Sequence, residues 1–196
     1  MTRTFAVTYD YLCPFARNTH EAIIAGLRDG RDWQVRFIPF SLSQAHVPDG
    51  EPAAWDRPRD DKRTSGVLAL AWGLTVREHF PERFFDFHLD LFAARHDRGQ
   101  RLHEESVLHE AAERSGLDAD AIATIVDGGE PLRLLAAEHT EAVQRWSVFG
   151  VPTFIEGDHA VFVRLMERCR VEDVEQVLAL LPDERLNEFK RTRVPA

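Results

Sequence analysis

Two cysteines in 196 residues, Cys13 and Cys169, stand 156 positions apart, too few and too distant for a disulfide framework. Lysine is scarce too: of 24 basic residues only Lys62 and Lys190 are lysines, a bias that reflects GC-rich genomic composition rather than chemistry. No apolar run approaches the roughly 20 residues that span a bilayer, and Met1-Thr2-Arg3-Thr4 leads straight into a strand pattern without a signal-peptide core. These absences predict a cytoplasmic protein with reduced thiols and no membrane partner. Cationic excess is missing as well, since the formal net charge is −9, which argues against nucleic acid as a partner. The nine histidines are scattered without the Cys/His spacing of a zinc site, so no metal is expected.

What is present is an order of elements. Phe5 to Tyr11 reads as a strand, and Arg17 to Asp29 as a helix with Ala22, Ile23, Ile24, Ala25 and Leu27 on its apolar side and Gly30 past its end. Trp33 to Phe40 alternates with period two, completing a βαβ unit with a parallel strand pair. Residues 41 to 60 carry Pro48, Asp49-Gly50, Pro52 and Pro58, which predict no regular element. Helices are then expected over 61–78, 81–97, 104–115, 118–127 and 131–146, with Asp118 as an N-cap. Strand patterns return as Thr153 to Glu156, a turn at Gly157-Asp158, and His159 to Val163, followed by a helix from Val171 to Leu181. The order predicts an α/β chain in which residues 1–60 and 147–196 build one sheet around a helical insertion, 61–146. This is a thioredoxin-like fold with an inserted all-helical subdomain.

The chemistry converges on Cys13. It sits where a strand ends and a helix begins, and Pro14 fits the first helical position because its missing N–H would have no intrahelical partner. The following amides and the positive end of the helix then predict a thiol pKa below its ordinary value, favouring the thiolate. Ala16 occupies the fourth position of what would be a Cys-x-x-Cys pair, so Cys13 has no local partner for a disulfide. Asp10 and Tyr11 are the nearby polar side chains expected to tune the thiol or bind substrate. Gly150-Val151-Pro152-Thr153-Phe154, at the start of a strand, suits a cis X–Pro bond, with a trans strand-initiating proline as the alternative.

Asp10-Tyr11-Leu12-Cys13-Pro14-Phe15 at the first strand-helix junction, the helical insert, and Gly150-Val151-Pro152-Thr153-Phe154 before a terminal hairpin together resemble the DsbA-like branch of the thioredoxin superfamily. Hydroxychromene-carboxylate isomerases and kappa-class glutathione transferases share that branch. The resemblance implies that Cys13 is the nucleophile and neighbours Pro152, with Pro14 and Ala16 completing the active-site turn. It also implies that Asp10, Tyr11, Phe15, Val151, Pro152 and Thr153 form the substrate or thiol site. Phe189-Lys190-Arg191-Thr192-Arg193 resembles the tail of actinobacterial relatives linked to mycothiol.

A lone thiolate forms a mixed disulfide and needs an outside thiol for release, which implies a monothiol oxidoreductase. No tightly bound cofactor is expected. Glutathione or mycothiol is the expected co-substrate, a small thiol-bearing molecule or a protein disulfide the substrate, and a homodimer is compatible with the apolar insert. Two alternatives stay open: a glutathione- or mycothiol-dependent isomerase or transferase, in which Cys13 polarises a bound thiol, and a non-catalytic peptide-binding protein. Cys169 is expected as an apolar filler, with a resolving role as the alternative. Trp72, His79, His88, Phe84, Phe85 and Phe87 are expected in the core, and His20 on the surface or between helices.

Overall fold

The computed structural model describes residues 2–59 and 61–185. The chain opens with β1 (Arg3–Tyr9), α1 (Pro14–Arg28) and β2 (Trp33–Pro39), and β1 runs parallel to β2 from Arg3 opposite Trp33 to Tyr9 opposite Pro39. Far along the sequence come β3 (Thr153–Glu156) and β4 (His159–Phe162), joined by a turn in which Gly157 takes φ 62°, a left-handed conformation that suits a residue without Cβ. β3 lies antiparallel along the other side of β1, with Ala6 opposite Ile155 and Val7 opposite Phe154, giving the order β2-β1-β3-β4. A strand flanked on both sides and covered on both faces accepts few exposed groups, and Val7, Thr8 and Tyr9 are fully buried. Arg3 Nε and Nη2 tie the start of β1 to the end of β3 by donating to the Glu156 carboxylate at 2.9 and 2.8 Å.

Between β2 and β3 run α2 (Leu42–Ala45), α3 (Val67–His79), α4 (Phe84–His96), α5 (Glu105–Arg114), α6 (Ala119–Asp127) and α7 (Glu130–Trp146); α8 (Val171–Leu180) follows β4 and packs on α1. Every residue of α3 from Val67 to Val76 is buried, so this helix is apolar all round and lies in the middle of the bundle, against α4, α6 and α7. α4 in turn packs on α1, and α7 on β2. Phe37 of β2 meets Phe84 and Phe85 with ring centroids 5.6 and 5.8 Å away, edge-on, carrying the sheet's apolar face into the helices. Trp72, Phe84, Phe87 and His88 are buried and Phe85 half-buried. His79 corrects the expectation: it falls in the last turn of α3, beyond the buried stretch, and is exposed.

Several boundaries also differ, each for a local reason. β1 stops at Tyr9 because the Asp10 carboxylate folds the chain back on itself, accepting from Leu12 N at 2.9 Å. α1 starts at Pro14, the first helical position expected for that proline, and so runs one turn ahead of the apolar pattern that begins at Arg17. The segment 41–60 is not wholly irregular: the Ser41 hydroxyl accepts from Gln44 N at 3.1 Å and starts α2, and a single 3-10 turn forms at Ala54–Asp56. The helix expected from residue 61 begins at Val67, after a separate 3-10 turn at Lys62–Thr64. Phe189 to Arg193, the stretch compared with mycothiol-linked relatives, lies outside the described residues.

Candidate active site

Cys13 is the N-cap of α1, in extended backbone at φ −95° and ψ 117°. Its sulfur accepts from Ala16 N at 3.4 Å, the bond a serine or aspartate hydroxyl or carboxylate makes at other helix starts. On its other side the thiol donates to the Val151 carbonyl at 3.4 Å, and the Val151–Pro152 peptide bond is cis. The loop that carries that carbonyl is fastened to the sheet: Thr153 N donates to Thr8 Oγ1 at 2.9 Å, Thr153 Oγ1 donates to Gly150 O at 2.8 Å, and Val163 N donates to Pro152 O at 3.2 Å. Two segments 138 residues apart therefore hold one sulfur between a helix amide and a loop carbonyl.

The thiol's ionisation departs from expectation. Cys13 is 8% exposed, and burial pushes its pKa above the ordinary value. The amides of Ala16 and Phe15 pull it down, Asp10 pushes it up and Arg164 pulls it down, but burial outweighs the helix amides. At neutral pH the sulfur in this resting arrangement carries its proton, which Val151 O receives. The helix position was read correctly, and its electrostatic consequence was not, because desolvation of a thiolate is invisible in a local motif.

The other expected site residues divide sharply. Pro14 is exposed and Phe15 half-buried at the mouth, while Val151 and Pro152 are buried beneath the sulfur and Ala16 is a fully buried methyl. Asp10, Tyr11 and Thr153, expected as substrate-binding side chains, are all buried with their side-chain polar atoms bonded within the fold. Asp10 Oδ1 and Oδ2 accept from Leu12 N at 2.9 Å and Leu42 N at 2.8 Å, tying the active-site turn to α2; burial raises this carboxyl to about 6. The Tyr11 hydroxyl meets His88 Nδ1 at 2.8 Å.

That contact belongs to a buried chain of neutral groups under the site. His20 Nε2 lies 3.3 Å from Thr8 O, which can only accept, so Nε2 carries the hydrogen and Nδ1 is left to accept. His88 Nε2 then donates to His20 Nδ1 at 2.8 Å, and His88 Nδ1 accepts from the Tyr11 hydroxyl. Burial holds His20 down to about 3 and His88 well below the usual imidazole range. His20 is thus an interhelix histidine pointing away from the sulfur. The turn above is pinned by His96 Nε2, 2.9 Å from Tyr11 O.

Two further residues complete the picture. Arg164, which no sequence motif marked, has its guanidinium carbon 5.3 Å from the ring centroid of Phe15, two residues after Cys13, and its charge draws the thiol's pKa down. Cys169 is exposed rather than a buried filler, at φ 57°, with Sγ 3.9 Å from Glu21 Oε2. Glu21 is eight residues beyond Cys13 along α1, a rise of about 12 Å, too far for a disulfide without backbone movement. Its neighbours also fail to favour a thiolate, since burial and then Glu21 push the Cys169 thiol up. Among the described residues no three His, Cys, Asp or Glu side chains converge as metal ligands.

The family model of the DSBA-like thioredoxin domain matches residues 5–179. The chain belongs to the DSBA-like thioredoxin domain family. Solved structures agree on the DSBA-like fold: BdbD from Bacillus subtilis in its oxidised form is 15% identical, with TM-score 0.61 over 90% of this chain and 85% of that one. The cytosolic disulfide reductase DsbM from Pseudomonas aeruginosa is 20% identical, with TM-score 0.61 over 90% and 99%. A 2-hydroxychromene-2-carboxylate isomerase is 16% identical, with TM-score 0.66 over 94% and 100%. No curated protein matches the chain. At these identities the likeness is one of fold, and within the DSBA-like family the chemistry must be argued from the site. Among the described residues no helix is long and apolar enough to cross a membrane.

Proposed function

We propose that this chain is a thiol-disulfide oxidoreductase acting through one nucleophilic sulfur, that of Cys13. The observation that carries the reading is the seat of that sulfur, 3.4 Å from the Ala16 amide in the first turn of α1 and 3.4 Å from the Val151 carbonyl beside a cis-proline. A base from solvent removes the thiol proton, and the amides of Phe15 and Ala16 stabilise the thiolate. The thiolate attacks one sulfur of a disulfide, the S–S bond breaks, and the displaced thiolate takes up a proton. Ala16 offers no second thiol and Cys169 lies against Glu21, two turns along α1 from Cys13, so the mixed disulfide waits for a small thiol such as glutathione or mycothiol. The mechanism suits a reducing, cytoplasmic setting in which both cysteines stay free.

The retained proton on Cys13 favours a second reading. A protonated thiol aimed across the site can donate a hydrogen bond to the sulfur of a bound small thiol, leaving that molecule as the nucleophile of an isomerase or transferase. One substitution separates the two. In a Cys169→Ser background, Cys13→Ser should abolish thiol-dependent reduction of a disulfide substrate under the first reading. Isomerase or transferase turnover that survives Cys13→Ser would establish the second.

A further inference from the structure

We propose that Arg164 selects the reaction partner of Cys13, favouring sulfur compounds that pair an apolar body with a carboxylate or similar anionic group. The proposal rests on Cys13 being the nucleophile. Its basis is how the backbone around Arg164 is held. Val163 N donates to Pro152 O at 3.2 Å, and Leu165 O accepts from Asn18 Nδ2 of α1 at 2.9 Å. Arg164 is thereby fixed between the two segments that hold the sulfur, with its own side chain exposed.

The guanidinium is placed but not used. Its carbon lies 5.3 Å from the ring centroid of Phe15 and 5.9 Å from that of Phe162, so two aromatic rings hold the cation in place. The planar fork of N–H donors that arginine carries suits a bidentate carboxylate. Arg17, the other arginine close to this end of α1, is tied to Glu21 at 2.9 Å and to Asp97. Arg164 has no carboxylate partner among the described residues, in a chain whose net charge is −9. Phe149 is 72% exposed and lies 5.2 Å from the Phe162 ring, and Pro14, next to Cys13, is exposed as well. An exposed aromatic wall next to an unpaired cation, both bordering a buried thiol, fits a ligand with an apolar body and an anionic head.

The test compares two aromatic disulfides in a Cys169→Ser background: dianionic dithiobis(nitrobenzoate) and neutral dithiodipyridine. Each reacts by the same exchange, in which Cys13 sulfur joins one half and the other half leaves as a thiolate. Arg164 also eases ionisation of the thiol, so the readout is the ratio of the two rates, from which any general effect on Cys13 cancels. Arg164→Met should lower the anionic-to-neutral ratio about fivefold, near 1 kcal/mol, and Arg164→Lys, which keeps the charge but not the planar fork, should restore only part of it. Raising salt should shrink the wild-type ratio toward that of Arg164→Met. A ratio unchanged in Arg164→Met overturns the proposal while leaving Cys13 as nucleophile. Failure of Cys13 to react with either reagent overturns the nucleophile reading itself.

Discussion

The buried pair His20 and His88 sets how this protein responds to acid, and the size of the response follows from where its protons sit. In the unfolded chain an imidazole titrates near 6.5, whereas in the fold His20 is held down to about 3 and His88 is also held well below the usual range, both by burial. Below pH 6.5 the unfolded chain therefore binds more protons than the native one, so stability falls as pH falls. Because pH 5 still lies above the folded-state value of His20, the loss depends almost wholly on the unfolded value: about 2 kcal/mol for each histidine between pH 7 and pH 5. Asp10 works the other way. Its folded pKa is raised to about 6, so protonation from pH 7 to 5 favours the native state and returns about 1 kcal/mol. These three groups together give a loss of about 3 kcal/mol, and His139, held down to about 4 by burial, adds to it in the same direction; the whole is read as a shift of the urea midpoint at constant m-value. Nitrogen NMR of the two rings should show neutral Nε2–H tautomers throughout that range. Stability at pH 5 equal to that at pH 7, or either ring charged in the native state at pH 6, would refute the reasoning.

Three other outcomes are expected. A Cβ built on Gly73 lies 2.4 Å from Tyr11 Oη, so Gly73→Ala should push that hydroxyl off His88 and destabilise by about 2–5 kcal/mol, seen as a lower Tm. Glu138 accepts from Arg77 at 2.7 and 3.0 Å in a mostly buried pair; Glu138→Ala should cost about 3–5 kcal/mol, and the double variant Arg77→Met/Glu138→Leu less than Glu138→Ala alone, as measured by urea unfolding. With Cys169 replaced by serine, alkylation of Cys13 at pH 7 should be slower than that of a free thiol and still be climbing beyond pH 9; a plateau by pH 8 would contradict the raised thiol.

Much of the framework was legible because it rests on local signals. Pro14 announces a helix start, the alternation in Trp33 to Pro39 announces a strand, and the apolar run through α3 announces a buried helix. What stayed hidden depends on burial by remote segments. Asp10 and Tyr11 look like site residues because they adjoin Cys13, yet the turn places one carboxylate under two backbone amides and one hydroxyl on a histidine 77 positions away. The thiol's raised pKa has the same origin, since the cover over Cys13 includes Val151. Arg164 gave no signal at all: a single arginine after a strand is unremarkable until Val163 and Leu165 are seen fastened to Pro152 and Asn18.

The long separation between Cys13 and the carbonyl that receives its proton has a consequence during synthesis. Cys13 is synthesised first, and Val151 follows 138 residues later. At about 5–20 residues per second the interval is about 7–28 s, in which the sulfur is an ordinary unshielded thiol on a growing chain. Any selectivity the finished site imposes on its partners begins only when the carboxy-terminal hairpin docks, so a nascent or truncated chain would react without discrimination.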